Sequence, residues 1–140
     1  MTIIAIQGPH NSGKTTSLNI LRDLMLNNGF TAVPNVFVNH SGRAIPPDFR
    51  DLLEKNSKSV GITTPGDTLG YLTRGIDALI PYQPDIIVCA CLTYGATVNY
   101  LNTNFGNSVI YISKRRDPAM NNQQENQADA HDILNRIHTI

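Results

Sequence analysis

Apolar positions along this chain change rhythm in a regular way, from short continuous runs to a spacing of three and four and back again. Thr2–Gln7 is a β-branched run that reads as a buried strand, and Lys14–Asn28 follows with Leu18, Leu21, Leu24 and Met25 at helical spacing. Gly29 supplies the stop. Phe30–Val38 reads as a second strand interrupted by Pro34, whose missing N–H suits a sheet edge. Asn39–Pro47 reads as a loop. Phe49, Leu52 and Leu53 fit a helical turn, but Phe49–Asn56 also pairs with Ser59–Thr63 around Asn56-Ser57, and an antiparallel hairpin over 49–63 is the preferred reading.

Thr64-Pro65-Gly66-Asp67 is a turn, after which Leu69, Leu72, Ile76 and Leu79 mark the inward stripe of a helix ending before Pro81. Asp85–Leu92 is the most apolar run, which predicts a central strand covered on both faces. Ala96–Phe105 then reads as a helix, Ser108–Ser113 as a strand, and Ala128–Ile140 as a terminal helix through Ala130, Leu134 and Ile137, with Asn121–Gln127 a polar connection. The alternation predicts an α/β fold: one domain over residues 1–140, a three-layer α/β/α sandwich with a mostly parallel sheet. Ligands of such sheets bind beyond the carboxyl ends of the strands, so chemistry is sought in the loops at that end.

Composition narrows the function classes. The 140 residues suit one core, with 41% hydrophobic and 16% charged residues, an ordinary globular balance. Eleven Lys and Arg against eleven Asp and Glu leave no net charge to gather nucleic acid or an anionic membrane. No apolar stretch reaches the ~18 residues of a membrane span. Met1 leads straight into a strand without the pattern of a signal peptide, so the expected location is the cytoplasm. Cys89 and Cys91 are two apart on a predicted strand, share a face, and read as packed core thiols rather than as a disulfide or half a zinc site.

The chemistry concentrates at Gly8-Pro9-His10-Asn11-Ser12-Gly13-Lys14-Thr15, which fills the pattern Gly, four residues, Gly-Lys-Ser/Thr at a strand-to-helix junction. Gly8 and Gly13 permit backbone angles that turn N–H groups inward, so the amides of Asn11, Ser12, Gly13, Lys14 and Thr15 form a nest for a β-phosphate at the positive end of the helix. Lys14, expected to stand exposed at the helix start, adds a charge on the β- and γ-oxygens, and Thr15 offers its hydroxyl to Mg²⁺. Thr16 either approaches the α-phosphate or simply begins the helix.

Such a site wants an acid beside the metal. The strand Ile86–Leu92 ends in Thr93, and its one acid, Asp85, lies at the opposite end. Asp67 follows a strand end on the ligand side and is the candidate both for the metal shell and for orienting the attacking group, although aspartate before a helix is also a favoured N-cap. Asp48 and Asp51 are weaker candidates that could arrive from the loop, and Thr63 and Thr64 offer hydroxyls nearby. Lys114 and Arg115 follow the last strand, where they could neutralise phosphate charge or stack on a base; a solvated loop is the alternative. Arg43, Arg50 and Arg74 are further cations that could approach a transferring phosphoryl group.

GPHNSGKT, GITTPGD, PDIIVCACLTYGAT and VIYISK, in that order, resemble small stand-alone P-loop NTPases of bacteria and their mobile elements. More distantly the plan looks like the accessory protein of molybdopterin-guanine dinucleotide biosynthesis. Thr64-Pro65-Gly66 is similar to the Asp-Thr-Pro-Gly turn of the MinD-like class, with Thr63 at the position of its aspartate. The resemblance implies a kinase-like or MinD-like P-loop fold, a hairpin before GITTPGD, and Mg²⁺ and ATP as ligands. The expected function is Mg·ATP binding with slow ATP hydrolysis, in which Lys14 and Asp67 act in catalysis. A nucleotide-gated module that regulates a protein partner, and a small-molecule or nucleotide kinase, are the alternatives. The chain contains no guanine-reading Asn-Lys-x-Asp motif, which favours ATP over GTP.

Overall fold

The apolar run Thr2–Gln7 forms strand β1, and the run at Ile86–Cys91 forms β6, whose six residues are all buried. In the computed structural model, which describes residues 1–140, these two strands lie side by side and parallel, Ile3 opposite Ile87 and Ala5 opposite Cys89. Parallel pairing extends to β7 (Val109–Ser113) on one side and to β5 (Lys58–Thr63) on the other. The carboxyl ends of four strands, Gln7, Thr63, Cys91 and Ser113, therefore share one edge.

The hairpin at 49–63 is present. Strand β4 (Phe49–Lys55) pairs antiparallel with β5, Arg50 opposite Thr63, around Asn56 and Ser57 with φ of 51° and 66°. Two consecutive positive φ values match the twist of the flanking strands. The predicted strand Phe30–Val38 resolves into two short pieces, β2 (Thr31–Ala32) and β3 (Val38–Asn39), both antiparallel to β4. Between them the chain turns at Pro34-Asn35, where Asn35 has φ of 64°. The sheet is thus mixed and seven-stranded, in the order β2-β4-β5-β6-β1-β7 with β3 beside β4.

Helices cover both faces. Helix α1 (Lys14–Asn27) and helix α4 (Asn122–Thr139) bury Leu18, Leu21, Met25, Ile133 and Ile137 against Ile4, Ile6, Val60, Ile62 and Val88. On the other face α2 (Leu69–Leu79) and α3 (Ala96–Phe105) bury Leu72, Ile76, Leu79 and Leu101 against Ile3, Ala5, Ile87, Cys89 and Cys91. Both cysteines face the same side as free, buried thiols. No helix is long and apolar enough to cross a membrane.

Helix α4 starts at Asn122, not at Ala128, so Asn121–Gln127 is not a connection. Asn121 and Gln124 form a reciprocal capping box, which nucleates a helical turn without any apolar stripe to announce it. That extra turn buries Glu125 and Asn126.

Gly66 ties the turn after β5 to the sheet: a Cβ there would collide with the backbone carbonyl of Ala90. At Gly70 on α2 the nearest atom to an added Cβ is the Arg74 terminal nitrogen at 3.8 Å. Gly66→Ala should therefore lower unfolding stability by ~1–3 kcal/mol, the usual cost of overpacking, whereas Gly70→Ala should leave it unchanged or raise it by up to ~1 kcal/mol. Urea midpoints of the two variants check this; equal midpoints would remove the close approach at Ala90.

Candidate functional site

Between β1 and α1 the chain makes a tight loop fixed at both ends. The Gly8 amide donates to the Cys91 carbonyl at 3.2 Å, and Ser17 returns to the Gly13 carbonyl at 2.9 Å. Asn11 and Gly13 have φ of 56° and 94°, and Gly13 precedes α1 without any side-chain cap. The first N–H groups of α1 are consequently left for an outside acceptor. Positive φ and lack of space both demand glycine at 13, because a Cβ would collide with Asn126 of α4. Asn126 also accepts from the Ser17 hydroxyl at 3.4 Å, so the extra turn of α4 backs the loop.

Lys14 differs from expectation. It is buried, not exposed: its side chain is 6% exposed, and Nζ donates to the Gly8 and Pro9 carbonyls, both at 2.7 Å. Nζ also lies 3.2 Å from Asp67 Oδ1, and Asp67 Oδ2 meets His10 Nδ1 at 2.9 Å. Asp67 does not cap α2; the Thr68 side chain does, accepting from the Tyr71 amide. The acid beside Thr15 is Asp48 rather than Asp67. Thr15 Oγ1 donates to Asp48 Oδ1 at 3.0 Å, and Thr64 Oγ1 donates to the same oxygen at 2.8 Å. Oδ2 of Asp48 has no partner in the protein. Asp48 is held from behind, its amide donating to Ser41 Oγ at 2.6 Å and its carbonyl accepting from the His40 amide at 2.8 Å.

These residues open onto a cleft of about 860 Å³ with 20 lining residues, only two of them hydrophobic. Its lining includes Asn11 to Thr16 from the loop and the start of α1, Thr63 to Asp67 from the end of β5 and the turn after it, and Asp48, Arg50 and Arg74. So polar a cleft suits a charged ligand better than an apolar one. Ser12 Oγ and Thr63 Oγ1 are buried without a hydrogen-bond partner, an uncommon state for side-chain hydroxyls. Gly8 lies buried just behind the loop, where a Cβ would press on Ser12 Oγ and Lys114 Cβ, each at 2.9 Å.

Lys114 and Arg115 are not part of this cleft. Lys114 Nζ pairs with Asp129 at 2.9 Å, with both side chains buried, and Arg115 bridges Asp129 at 2.8 Å and Asp132 at 2.7 Å. Both cations are thus engaged by α4, and the hydrogen bonds of Arg115 to Asp132 and Asp129 hold its pKa above the usual value. Asp51 is likewise structural: buried, it accepts from Arg22 Nε at 2.8 Å on the α1 side of the sheet. Asp85 lies at the far end of β6, where it accepts from the Ser59 amide.

No three His, Cys, Asp or Glu side chains cluster as a self-sufficient metal site. The Thr15 hydroxyl and Asp48 carboxylate are hard oxygen donors. They fit Mg²⁺, which binds through one or two carboxylates with the rest of its shell from water and phosphate, and they do not fit zinc. Burial, and next the Arg50 charge, hold His40 below the usual histidine pKa, with Asp48 pulling the other way. No family model, curated protein or solved structure matches the chain.

Cys91 ends the strand that receives the loop, and burial pushes its thiol from 9.0 to about 11, with Lys14 opposing; burial raises Cys89 further. Neither thiol should react with a thiolate-selective disulfide reagent at pH 8 in the native protein, and both should react in urea. A folded pKa raised above the unfolded one means that stability is intact below pH 9.0 and declines as pH rises toward about 11. Rapid native labelling at pH 8 would contradict the packing of β6.

Proposed function

We propose that this cleft binds a Mg²⁺-complexed nucleoside triphosphate, ATP in preference to GTP, and hydrolyses it slowly, and that β1, the Gly8–Thr15 loop and α1 form a P-loop. The observation that carries the reading is the convergence of Thr15 and Asp48 beside a glycine loop whose helix-start amides lack a cap. The phosphate chain enters against the amides of Asn11, Ser12, Gly13, Lys14 and Thr15, where the helix dipole favours negative charge. Thr16 follows in the first turn of α1. Lys14 leaves the Gly8 and Pro9 carbonyls and turns its ammonium to the phosphate oxygens, exchanging neutral acceptors for charged ones. Mg²⁺, when bound, neutralises the charge shared by the β- and γ-oxygens. Thr15 and Asp48 would hold it, with Thr64 fixing the Asp48 carboxylate through its hydroxyl.

Asp67 takes the orienting role. Once Lys14 moves to the phosphates, Asp67 Oδ1 loses its cation and becomes an acceptor for the proton of an attacking water or hydroxyl. The buried, unpartnered hydroxyl of Ser12 supports the same reading, since a loop occupied by phosphate would give it an acceptor. Gating of a protein partner remains the alternative, supported by the loop 40–48, which carries both the cleft residue Asp48 and the exposed Ile45.

Mg·ATP at a hundred times its Kd should stabilise the protein by about 2.7 kcal/mol, read as a rise in melting point. Lys14→Ala should abolish that rise, and because Lys14 is buried its ligand-free melting point serves as its own reference. Thr15→Ala and Asp48→Asn should weaken binding in magnesium far more than in EDTA. Asp67→Asn should retain nucleotide binding and the α2 cap, which Thr68 supplies, lower the ligand-free melting point because the buried Lys14 ammonium loses its one carboxylate, and release phosphate ~100-fold more slowly. Undiminished nucleotide stabilisation in Lys14→Ala would end the P-loop reading, and equal losses with and without magnesium would end the metal role of Thr15 and Asp48.

A further inference from the structure

Besides the loop, the cleft is lined by a second set of charges. Arg50 lines it from β4 and Arg74 from α2, and neither takes part in any ion pair of the protein. The acids of the cleft are engaged elsewhere, Asp48 by two hydroxyls and Asp67 by Lys14 and His10. Thr63 links the two arginines. It is the cross-strand partner of Arg50, so both side chains leave the same face of the sheet, and a Cβ on Gly75, the neighbour of Arg74, would collide with the Thr63 hydroxyl. Thr63 is among the residues that line the cleft, and its hydroxyl is buried beside Gly75 without a hydrogen-bond partner. Arg74 is held near the wall by the Tyr71 ring, its Cζ 5.5 Å from the ring centroid.

We propose that Arg50, Arg74 and Thr63 form a second anion subsite, separate from the Gly8–Thr15 loop, that seats a phosphomonoester alongside the nucleotide; the pairing with a nucleotide rests on the reading above. Two guanidiniums from different elements present flat forks suited to phosphate oxygens. A phosphomonoester carries between one and two negative charges near neutral pH and matches two cations, whereas a carboxylate carries one. The α1 side of the cleft holds Thr15, Asp48 and Thr64, and the α2 side holds Arg50, Thr63 and Arg74, so the two ligands lie side by side without sharing a side chain.

The test uses the full chain saturated with Mg²⁺ and a non-hydrolysable ATP analogue, titrated with phenyl phosphate in a calorimeter and with benzoate as the carboxylate comparison. One phenyl phosphate should bind per chain, benzoate at least tenfold more weakly. Arg50→Gln and Arg74→Gln should each weaken phenyl phosphate at least tenfold, with Arg→Lys variants in between and the affinity for the analogue within twofold of wild type. Urea midpoints establish that the variants are folded. No binding to the saturated protein, binding unchanged in the double variant, or benzoate as tight as phenyl phosphate would overturn the subsite. A tenfold loss of analogue affinity in the same variants would put both arginines on the triphosphate and overturn it as well. Where the analogue itself does not bind, the Lys14→Ala protein is titrated with phenyl phosphate alone. Binding that depends on Arg50 and Arg74 there sustains the subsite while the nucleotide reading falls; no binding overturns it.

Discussion

Parallel pairing of β1 with β6, buried on both faces, is the constraint on which everything else here rests. Both strands present apolar side chains to two helical layers, so neither can slip by one residue without exchanging its two faces. With that register fixed, the Gly8 amide reaches the Cys91 carbonyl and Gly66 lies against Ala90, and the two turns that flank the cleft are pinned to the same strand. The cleft is thus attached to the most buried part of the protein. Its walls inherit the rigidity of the core while its lining stays polar.

Asp48 shows how a residue outside the parallel block becomes central to the site. It sits one residue before β4, and the β4–β5 hairpin brings it beside Thr64, which follows β5; the Thr64 amide donates to the Phe49 carbonyl at 3.0 Å and its hydroxyl accepts from the Phe49 amide. One carboxylate oxygen then receives hydroxyls from two elements, α1 through Thr15 and the β5 end through Thr64. Lys14 shows the complementary economy. Its ammonium is satisfied by two carbonyls and one carboxylate in the ligand-free protein, which avoids an unpaired buried charge but leaves it only short-range partners to exchange for a phosphate.

Much of this was legible in the sequence because its signals were local. The Gly8–Thr15 spacing, the runs at Thr2–Gln7 and Asp85–Leu92, and the pair Asn56-Ser57 each specify backbone shape within a few residues, and the structure keeps all of them. What the sequence ranks low or does not reveal depends on distant partners. Asp48 stands 33 residues from Thr15, yet the hairpin register alone, extended one step beyond Phe49, would have set it next to Thr64. Lys114 and Arg115 do follow a carboxyl strand end, but neither phosphate contact nor a solvated loop describes them, because α4 carboxylates hold both. Their partners Asp129 and Asp132 lie on α4, within the helix the sequence indicates, but its packing beside the end of β7 is a tertiary contact that no local pattern records. The cap of α2 passed from Asp67 to Thr68 by one residue, a shift that no propensity distinguishes, since both are good caps.

The central claim is that the nucleotide occupies the loop and reorganises Lys14 and Asp48, and amide and side-chain NMR of the labelled protein with Mg²⁺ and a non-hydrolysable ATP analogue tests it most directly. The account predicts that the largest shifts fall on the amides of Asn11 to Thr16, with further shifts at Asp48, Thr64 and Asp67, and that the Lys14 ammonium resonance moves as it exchanges carbonyls for phosphate. Shifts confined to other surfaces, or no change at Lys14 under saturating analogue, would contradict it.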